Sequence, residues 1–158
     1  MFLKVWSFIT LIFTALLLGT TFGHTLEMPM KLSMDGSLWT TLQNSLYRNF
    51  AIIGAPIELG SILTSSLLAF FERAQRPTFY LTLAGAICFA LAFVVWIAFT
   101  NPVNVQVVQW QINSIPADWS RWRTQWEYSH AVRFALHLIG FSLLLYSVLL
   151  EIPKSRIP

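Results

Sequence analysis

Charged residues are scarce in this chain: Asp, Glu, Lys and Arg make up 11% of its 158 residues, against about 25% in an ordinary globular domain. This scarcity excludes most folds that are soluble in water. Disorder is excluded as well, because 56% of the residues are hydrophobic and 15% are aromatic, and such a chain does not stay solvated. Cysteine is nearly absent, and the single Cys88 permits no internal disulfide.

Basic clusters and familiar catalytic motifs are also missing. The net charge is +3, but the Lys and Arg residues are scattered, so we expect no nucleic-acid partner. The sequence contains no Gly-rich phosphate loop, no His-Glu-x-x-His, no Gly-x-Ser-x-Gly and no Cys-x-x-Cys. The function must therefore be sought in residues that the fold brings together.

Long apolar runs dominate what is present. They predict four membrane spans, at about 5–25, 49–71, 78–100 and 131–151, each close to the roughly 20 residues that cross a bilayer as a helix. Spans in lipid must satisfy their own backbone, which favours helices, and short connections favour antiparallel neighbours. We expect one all-α domain over 1–158, a membrane-embedded antiparallel four-helix bundle.

The first apolar run has a second interpretation. Lys4 precedes it and small residues follow it, as in a cleaved signal peptide. A membrane helix is favoured, because the run is longer than a signal-peptide core and no Ala-x-Ala site follows. Pro102 and Pro153 are interpreted as ends of the third and fourth spans.

Basic residues in the short flanks predict the orientation of the bundle. One side carries five of them and the other side four, a slight bias that predicts cytoplasmic termini in a multi-pass integral membrane protein. The five are Lys4, Arg73, Arg76, Lys154 and Arg156. Small residues such as Gly54, Gly60 and Gly85 favour close helix contacts, either within the bundle or in a homo-oligomer.

Polar residues collect at the ends of the spans that share one membrane face. They come from four segments and are His24 and Glu27, Arg48 and Asn49, Asn101 and Asn104, and His130 and Arg133. Two ionisable residues lie deeper, Glu58 and His137, at similar depths of about 10–13 Å. A charged carboxylate does not face lipid, so Glu58 is expected to be protonated or paired with a His or Arg, in either a structural or a functional role.

Aromatic residues precede the last span with helical spacing. One face of a helix from near Pro116 would carry Trp119, Trp122, Trp126, His130, Arg133 and His137. This pattern predicts an interfacial helix that continues into the bilayer. The tryptophans are interpreted either as an interfacial belt or as the wall of a cavity. Glu127 is expected on another face, in water, and Lys31 at the surface.

Three kinds of chemistry suit the predicted cluster. His24, Glu27 and His130 could form a two-His-one-carboxylate iron site, and His24, His130 or His137 could bind haem. A cofactor-free alternative is acid/base chemistry, in which a His beside Glu and Arg removes an acidic proton. We expect this third alternative, with no cofactor.

Three motifs carry a resemblance to a known family. They are Gly-x-x-x-Gly-His-x-x-Glu-x-Pro at Gly19–Pro29, Asn-Pro-x-Asn at Asn101–Asn104 and Trp-x-x-x-His-x-x-Arg at Trp126–Arg133. In this order they resemble the anthrone oxygenase-like family of small four-helix membrane proteins. The resemblance implies that Asn101, Asn104, Trp126, His130 and Arg133 are site residues. It also implies a cofactor-independent monooxygenase that oxidises an anthrone to an anthraquinone.

The predicted site follows from the residues and the resemblance together. His24, Glu27, His130 and Arg133 are the expected catalytic residues, and the substrate is expected to contact Asn101, Asn104, Trp126, Glu58 and His137. A His would act as general base on a flat apolar aromatic or phenolic substrate that partitions into membrane lipid. The alternatives are a non-enzymatic membrane subunit, a small-ligand or haem-binding module and a transporter.

Overall fold

The computed structural model describes residues 1–151, so Pro153, Lys154 and Arg156, used in the sequence predictions, lie outside the described residues. Every regular element in the described part is helical. The α-helices are α1 (Phe2–Ser33), α2 (Gly36–Leu42), α3 (Phe50–Glu72), α4 (Arg76–Val95), α5 (Asn101–Val107) and α6 (Trp119–Leu150). A π-helical turn, Gln43–Tyr47, follows α2, another, Trp96–Thr100, joins α4 to α5, and Ile112–Ser114 forms a short 3-10 helix.

Four helical stretches are long and apolar enough to cross a membrane: α1, α3, the continuous stretch Arg76–Val107 and α6. α1 packs against α3 and α6, and α4 packs against the same two helices, so α1 and α4 lie on one diagonal of a four-helix bundle. The all-α fold predicted from the sequence is confirmed, and the four apolar helices support the prediction of a multi-pass membrane protein.

The polarity of the bundle is reversed relative to a water-soluble one. The buried face of α1 carries Thr10 and Thr14, whose hydroxyls donate to carbonyl oxygens one turn earlier at 2.9 and 2.8 Å. Phe8, by contrast, is 64% exposed. Spanning helices associate through small and hydroxyl-bearing residues, because lipid provides no hydrophobic drive between them.

Glycines permit the closest helix contacts. A methyl group added at Gly85 of α4 would lie 3.0 Å from the carbonyl oxygen of Gly140 in α6, and one at Gly60 would lie 2.5 Å from the ring of Phe13. The predicted role of Gly60 and Gly85 in close packing is confirmed. Gly54 makes no such contact within the bundle, because a methyl group there would meet nothing within 4 Å.

Two helix ends differ from the prediction. α1 continues through Pro29 to Ser33, well past the expected end near residue 25. Pro102 does not terminate the third span, because it lies in the first turn of α5, where the missing N–H has no intrahelical partner to lose. The π turn before it closes with an Asn101 N–H donated to the Trp96 carbonyl, so the chain passes from α4 into α5 without a break.

The helix predicted before the last span is present and is continuous with that span. α6 runs unbroken from Trp119 to Leu150. Trp126, His130, Arg133 and His137 are all buried on this helix, as their common face predicts. The same face therefore begins among the tryptophans near one end of the bundle and reaches the middle of the span.

Candidate functional site

A cavity of about 770 Å³ lies at the end of the bundle where the sequence places the polar residues. Its wall is built by α1, the π turn Gln43–Tyr47, the first half of α3, the end of the third span and α6. Seven of the nine predicted site residues line it: His24, Glu58, Asn101, Asn104, Trp126, His130 and Arg133. Glu27 and His137 are not among the lining residues, and each joins a neighbouring charge cluster.

His24 and His130 form a pair in the cavity wall. Their ring centroids are 4.2 Å apart, and the Trp126 ring lies against both, at 5.1 Å from His24 and 4.2 Å from His130. Nδ1 of His24 is buried and has no hydrogen-bond partner among the described residues. His24 thus presents a ring nitrogen whose hydrogen-bonding capacity the described residues leave unused.

Asn104 and Asn101 come from the first turn and a half of α5. The indole Nε1 of Trp126 donates a 2.8 Å hydrogen bond to Oδ1 of Asn104, which fixes the indole in the wall beside the histidines. The side chain of Asn101 makes no hydrogen bond within the described residues, although it lines the cavity. Its amide is therefore available to a ligand.

Glu58, Arg133 and Thr21 form the deep end of the cavity. Together with His137, which does not line the cavity, they make up an inner charge cluster. Oε2 of Glu58 lies 2.6 Å from Nη2 of Arg133, and Oε1 of Glu58 lies 3.5 Å from Nε2 of His137. His137 is fully buried, and its Nδ1 shares a 3.1 Å hydrogen bond with the Thr21 hydroxyl. The predicted pairing of Glu58 with an Arg or His is present.

Arg133 connects the inner charge cluster to the histidine pair. While its Nη2 is held by Glu58, its Nη1 lies 3.5 Å from Nδ1 of His130, and its Nε has no partner among the described residues. A guanidinium can only donate hydrogen bonds. Arg133 therefore offers donors toward the cavity at the position where a ligand oxygen would meet the histidines.

An outer charge cluster of Lys31, Glu27, Glu127, Trp39 and Tyr47 lies next to the cavity, beyond His24. Nζ of Lys31 is 3.4 Å from Oε2 of Glu27 and 3.3 Å from Oε2 of Glu127. Trp39 Nε1 donates to Glu127 at 3.3 Å, and the Tyr47 hydroxyl donates to Glu27. Of these five residues, only Tyr47 also lines the cavity.

Lys31 and Glu127 are residues that the sequence interpretation missed. Both were expected in water, but each is only 1% exposed. Lys31 is buried because α1 extends about two turns beyond its expected end and carries the ammonium group over the Trp126 ring, 4.6 Å from its centroid. The available signal was the i,i+4 spacing of Glu27 and Lys31, which pairs opposite charges on one helix face.

Tyr47 lies between the first two spans, and its surroundings favour the neutral phenol. Burial raises the pKa of Tyr47 above its usual value, and the hydrogen bond to Glu27 and the negative charges of Glu27 and Glu127 raise it further. The phenol therefore remains a hydrogen-bond donor to Glu27 well into the alkaline range.

The predicted iron and haem ligands can be compared with this geometry. Among residues 1–151 no three His, Cys, Asp or Glu side chains are grouped so that they could hold a metal ion. In the trio His24, Glu27 and His130, the carboxylate is turned toward Lys31 and Tyr47. His24 and His130 contact each other directly and do not face one another across a gap that a porphyrin would fill.

The cavity wall can position an apolar ring, accept a proton and donate hydrogen bonds to an oxygen atom. Aromatic side chains, two imidazoles, two guanidinium groups and five carboxamides line it. Comparisons of this chain with protein-family models, with curated proteins and with solved structures give no match.

Proposed function

We propose that this protein is a membrane-embedded, cofactor-independent monooxygenase that acts on a flat aromatic substrate with an acidic C–H or O–H group, such as an anthrone or a related phenol. The observation that carries the proposal is the convergence of His24, His130 and Arg133 on one aromatic-walled cavity. This set combines a proton acceptor with donors for an oxyanion.

The size and the wall of the cavity suit such a substrate. About 770 Å³ falls within the roughly 300–1,000 Å³ of typical small-molecule sites. Trp126, Tyr47 and Phe50 provide aromatic surfaces, and Leu17 and Val107 provide aliphatic ones. A flat apolar ring would be bound by these side chains, while its oxygen would be directed toward the polar end at Arg133.

The chemistry begins with removal of a proton. His130 or His24 takes a proton from the acidic CH₂ group, and Arg133 and Asn104 donate hydrogen bonds to the enolate oxygen that develops. The carbanion is oxidised by dioxygen to a C–OOH group. Loss of the second C–H proton then breaks the O–O bond, so that the CH₂ group and one O₂ become a ketone and water.

The family resemblance supports the same assignment. Its five positions, Asn101, Asn104, Trp126, His130 and Arg133, all line the cavity, although they come from two helices that are separated in the sequence. As proposed, the reaction uses dioxygen directly as oxidant and takes no electrons from a bound group.

Oxygen uptake by the purified protein in lipid nanodiscs tests the proposal. With a hydroxylated anthrone we expect one O₂ consumed for each ketone formed. A His24→Gln, His130→Gln double variant is expected to lose about a hundredfold or more in rate, the usual contribution of a general base. The exposed Tyr128 of the same helix provides the control, and Tyr128→Phe should retain the full rate.

Two outcomes would contradict the proposal. Full oxygen uptake by the double variant would exclude the histidines as the base. Saturable binding of the anthrone without any oxygen uptake by the wild-type protein would instead identify the cavity as that of a non-enzymatic ligand-binding protein.

A further inference from the structure

The cavity is closed on the side that faces away from the spans. The π turn Gln43–Tyr47 covers it there, and Gln43, Asn44 and Tyr47 all line it. Two contacts hold this cover in place: Asn44 Nδ2 donates to the Val107 carbonyl at 3.3 Å, and the Tyr47 hydroxyl donates to Glu27. Gln43 is buried, so the cover is packed against the end of the bundle.

The side of the cavity between α3 and α5 is different. Four large apolar residues line this side and are exposed: Phe50 and Ile53 of α3, Val105 of α5 and Val108 directly after it. The exposed polar residues of the lining lie elsewhere, Arg48 and Asn49 before the start of α3 and Thr20 on α1. Ile53 and Val105 belong to helices that are long and apolar enough to cross a membrane. A rim of this composition is compatible with acyl chains and poorly compatible with water.

Gly54 keeps this side open. A methyl group added there would meet nothing within 4 Å, although Gly54 and its neighbours Ala51 and Ala55 are part of the cavity wall. The same helix reaches the inner charge cluster one turn later at Glu58. An open path therefore runs from the apolar rim past Gly54 to Arg133.

Polarity changes along this path. Arg48 and Asn49 lie at the outer end of the rim, where an Arg suits the headgroup level of a bilayer, whereas Ile53 lies further along α3. A ligand that fits this path has an oxygen-bearing ring that contacts Arg133 and the histidines, and an apolar chain that contacts the rim.

We propose that the opening between α3 and α5 is a lateral portal to the bilayer, and that the substrate is a phenol-type ring carrying an alkyl or prenyl chain that stays in lipid while the ring enters the cavity. This inference rests on the proposed function for the identity of the ring. It adds the route of access and the second half of the substrate, which the oxygenase chemistry does not require.

Binding in the absence of oxygen tests the portal separately from turnover. The wild-type protein in phosphatidylcholine nanodiscs is titrated anaerobically with a brominated dodecylphenol or a brominated cresol, since bromine quenches tryptophan fluorescence on contact and Trp126 and Trp96 line the cavity. With concentrations expressed per lipid, we expect the long-chain phenol to bind about tenfold more tightly than the cresol, a difference of about 1.4 kcal/mol. Brominated dodecane, which lacks the ring, should give no saturable quenching.

Variants at two glycines identify the route. Gly54→Phe is expected to weaken binding of the long-chain phenol about tenfold by filling the portal, and Ala51→Phe should act in the same direction. Gly23→Phe is the matched control, because a methyl group at Gly23 also meets nothing within 4 Å and Gly23 is not a lining residue. Its affinity should stay within about twofold of the wild type.

Equal affinities for the two phenols, or wild-type affinity in both portal variants, would overturn the inference. Neither result would affect oxygen uptake with an anthrone, so the proposed function would stand. Conversely, chain-dependent binding that Gly54→Phe abolishes, in a protein that takes up no oxygen, would retain the portal and reject the oxygenase.

Discussion

The inner and outer charge clusters are both buried ion-pair networks, but they are built differently. In the inner one, a single carboxylate, Glu58, serves both Arg133 and His137. In the outer one, a single ammonium group, Lys31, serves two carboxylates, Glu27 and Glu127. Glu58 and Arg133 line the cavity, whereas Lys31 and both of its carboxylates do not.

This difference separates a network that lines the cavity from one that joins helices beside it. Arg133 retains donors toward the cavity after pairing with Glu58, which is what recognition of an oxygen atom requires. The outer charge cluster instead joins the end of α1 to α6 through Lys31, and to the segment Gly36–Tyr47 through Trp39 and Tyr47. The outer cluster therefore holds the cover of the cavity.

Replacing Glu58 should have the largest effect on stability. Glu58→Leu leaves the Arg133 guanidinium unpaired in the bundle, which is expected to lower the free energy of unfolding by about 3–5 kcal/mol. The measurement is denaturant unfolding in mixed micelles. The double variant Glu58→Leu, Arg133→Leu should recover most of this loss, because no charge is left unpaired. A double variant as unstable as the single one would contradict this account of the inner charge cluster.

Replacing Lys31 should have a smaller effect. Lys31→Met leaves Glu127 buried without its cation, but Trp39 still donates to Glu127 and Glu27 has a half-exposed side chain. We expect a loss of about 2 kcal/mol in the same unfolding measurement, below the range for a fully buried pair. Lys4→Met, at an exposed position of the same helix, is the control and should change stability by no more than about 0.5 kcal/mol. Equal losses at positions 4 and 31 would reject a structural role for the outer cluster.

Removing the Tyr47 hydroxyl should weaken the outer charge cluster only slightly. Tyr47→Phe deletes one hydrogen bond to Glu27 at the edge of the cavity, and we expect a loss of about 1 kcal/mol of unfolding free energy. Hydrogen exchange of the backbone amides in Gln43–Tyr47 should become faster, because the cover loses one of its two attachments. Unchanged exchange there would show that the hydroxyl does not hold the cover.

The smallest expected effect is the loss of stability at alkaline pH that accompanies ionisation of Tyr47. Because the pKa of folded Tyr47 is raised, the corresponding stabilisation is complete below the unfolded pKa of about 10 and declines as the pH rises from there toward the folded value. Difference absorption between the wild type and Tyr47→Phe should show the Tyr47 phenolate forming above this pH. Ionisation of Tyr47 near its ordinary pKa would contradict the buried hydrogen bond to Glu27.

The spans were predictable from the sequence because lipid imposes one simple requirement, about 20 uncharged residues in a helix. Helix ends were not. Pro29 and Pro102 both lie inside continuous helical stretches, because the neighbouring structure, such as the π turn before Pro102, decides whether a helix continues past a proline. The burial of Lys31 depended on the end of α1, so it could not be read from its own residue type.

The candidate site, like the spans, was predictable from the sequence only in part. The polar residues near span ends were predicted to meet because antiparallel helices return to the same face, and seven of nine line one cavity. The shape of the cavity was not predictable. Gly54 and Gly85 are both glycines inside apolar helices, yet one adjoins empty space and the other a carbonyl oxygen at 3.0 Å from an added methyl group. Only the relative positions of several helices make this distinction.

The π turn Trp96–Thr100 has a consequence for the cavity. A π turn accommodates one more residue than an α-helical turn, and one residue of an α-helix corresponds to a rotation of about 100°. All side chains of α5 are therefore rotated by roughly this angle relative to an uninterrupted continuation of α4. It is this phase shift that turns Asn104 toward Trp126 and Asn101 toward the cavity. The direction in which the carboxamides of Asn101 and Asn104 point thus depends on the extra residue in the π turn of the third span as well as on the residue types.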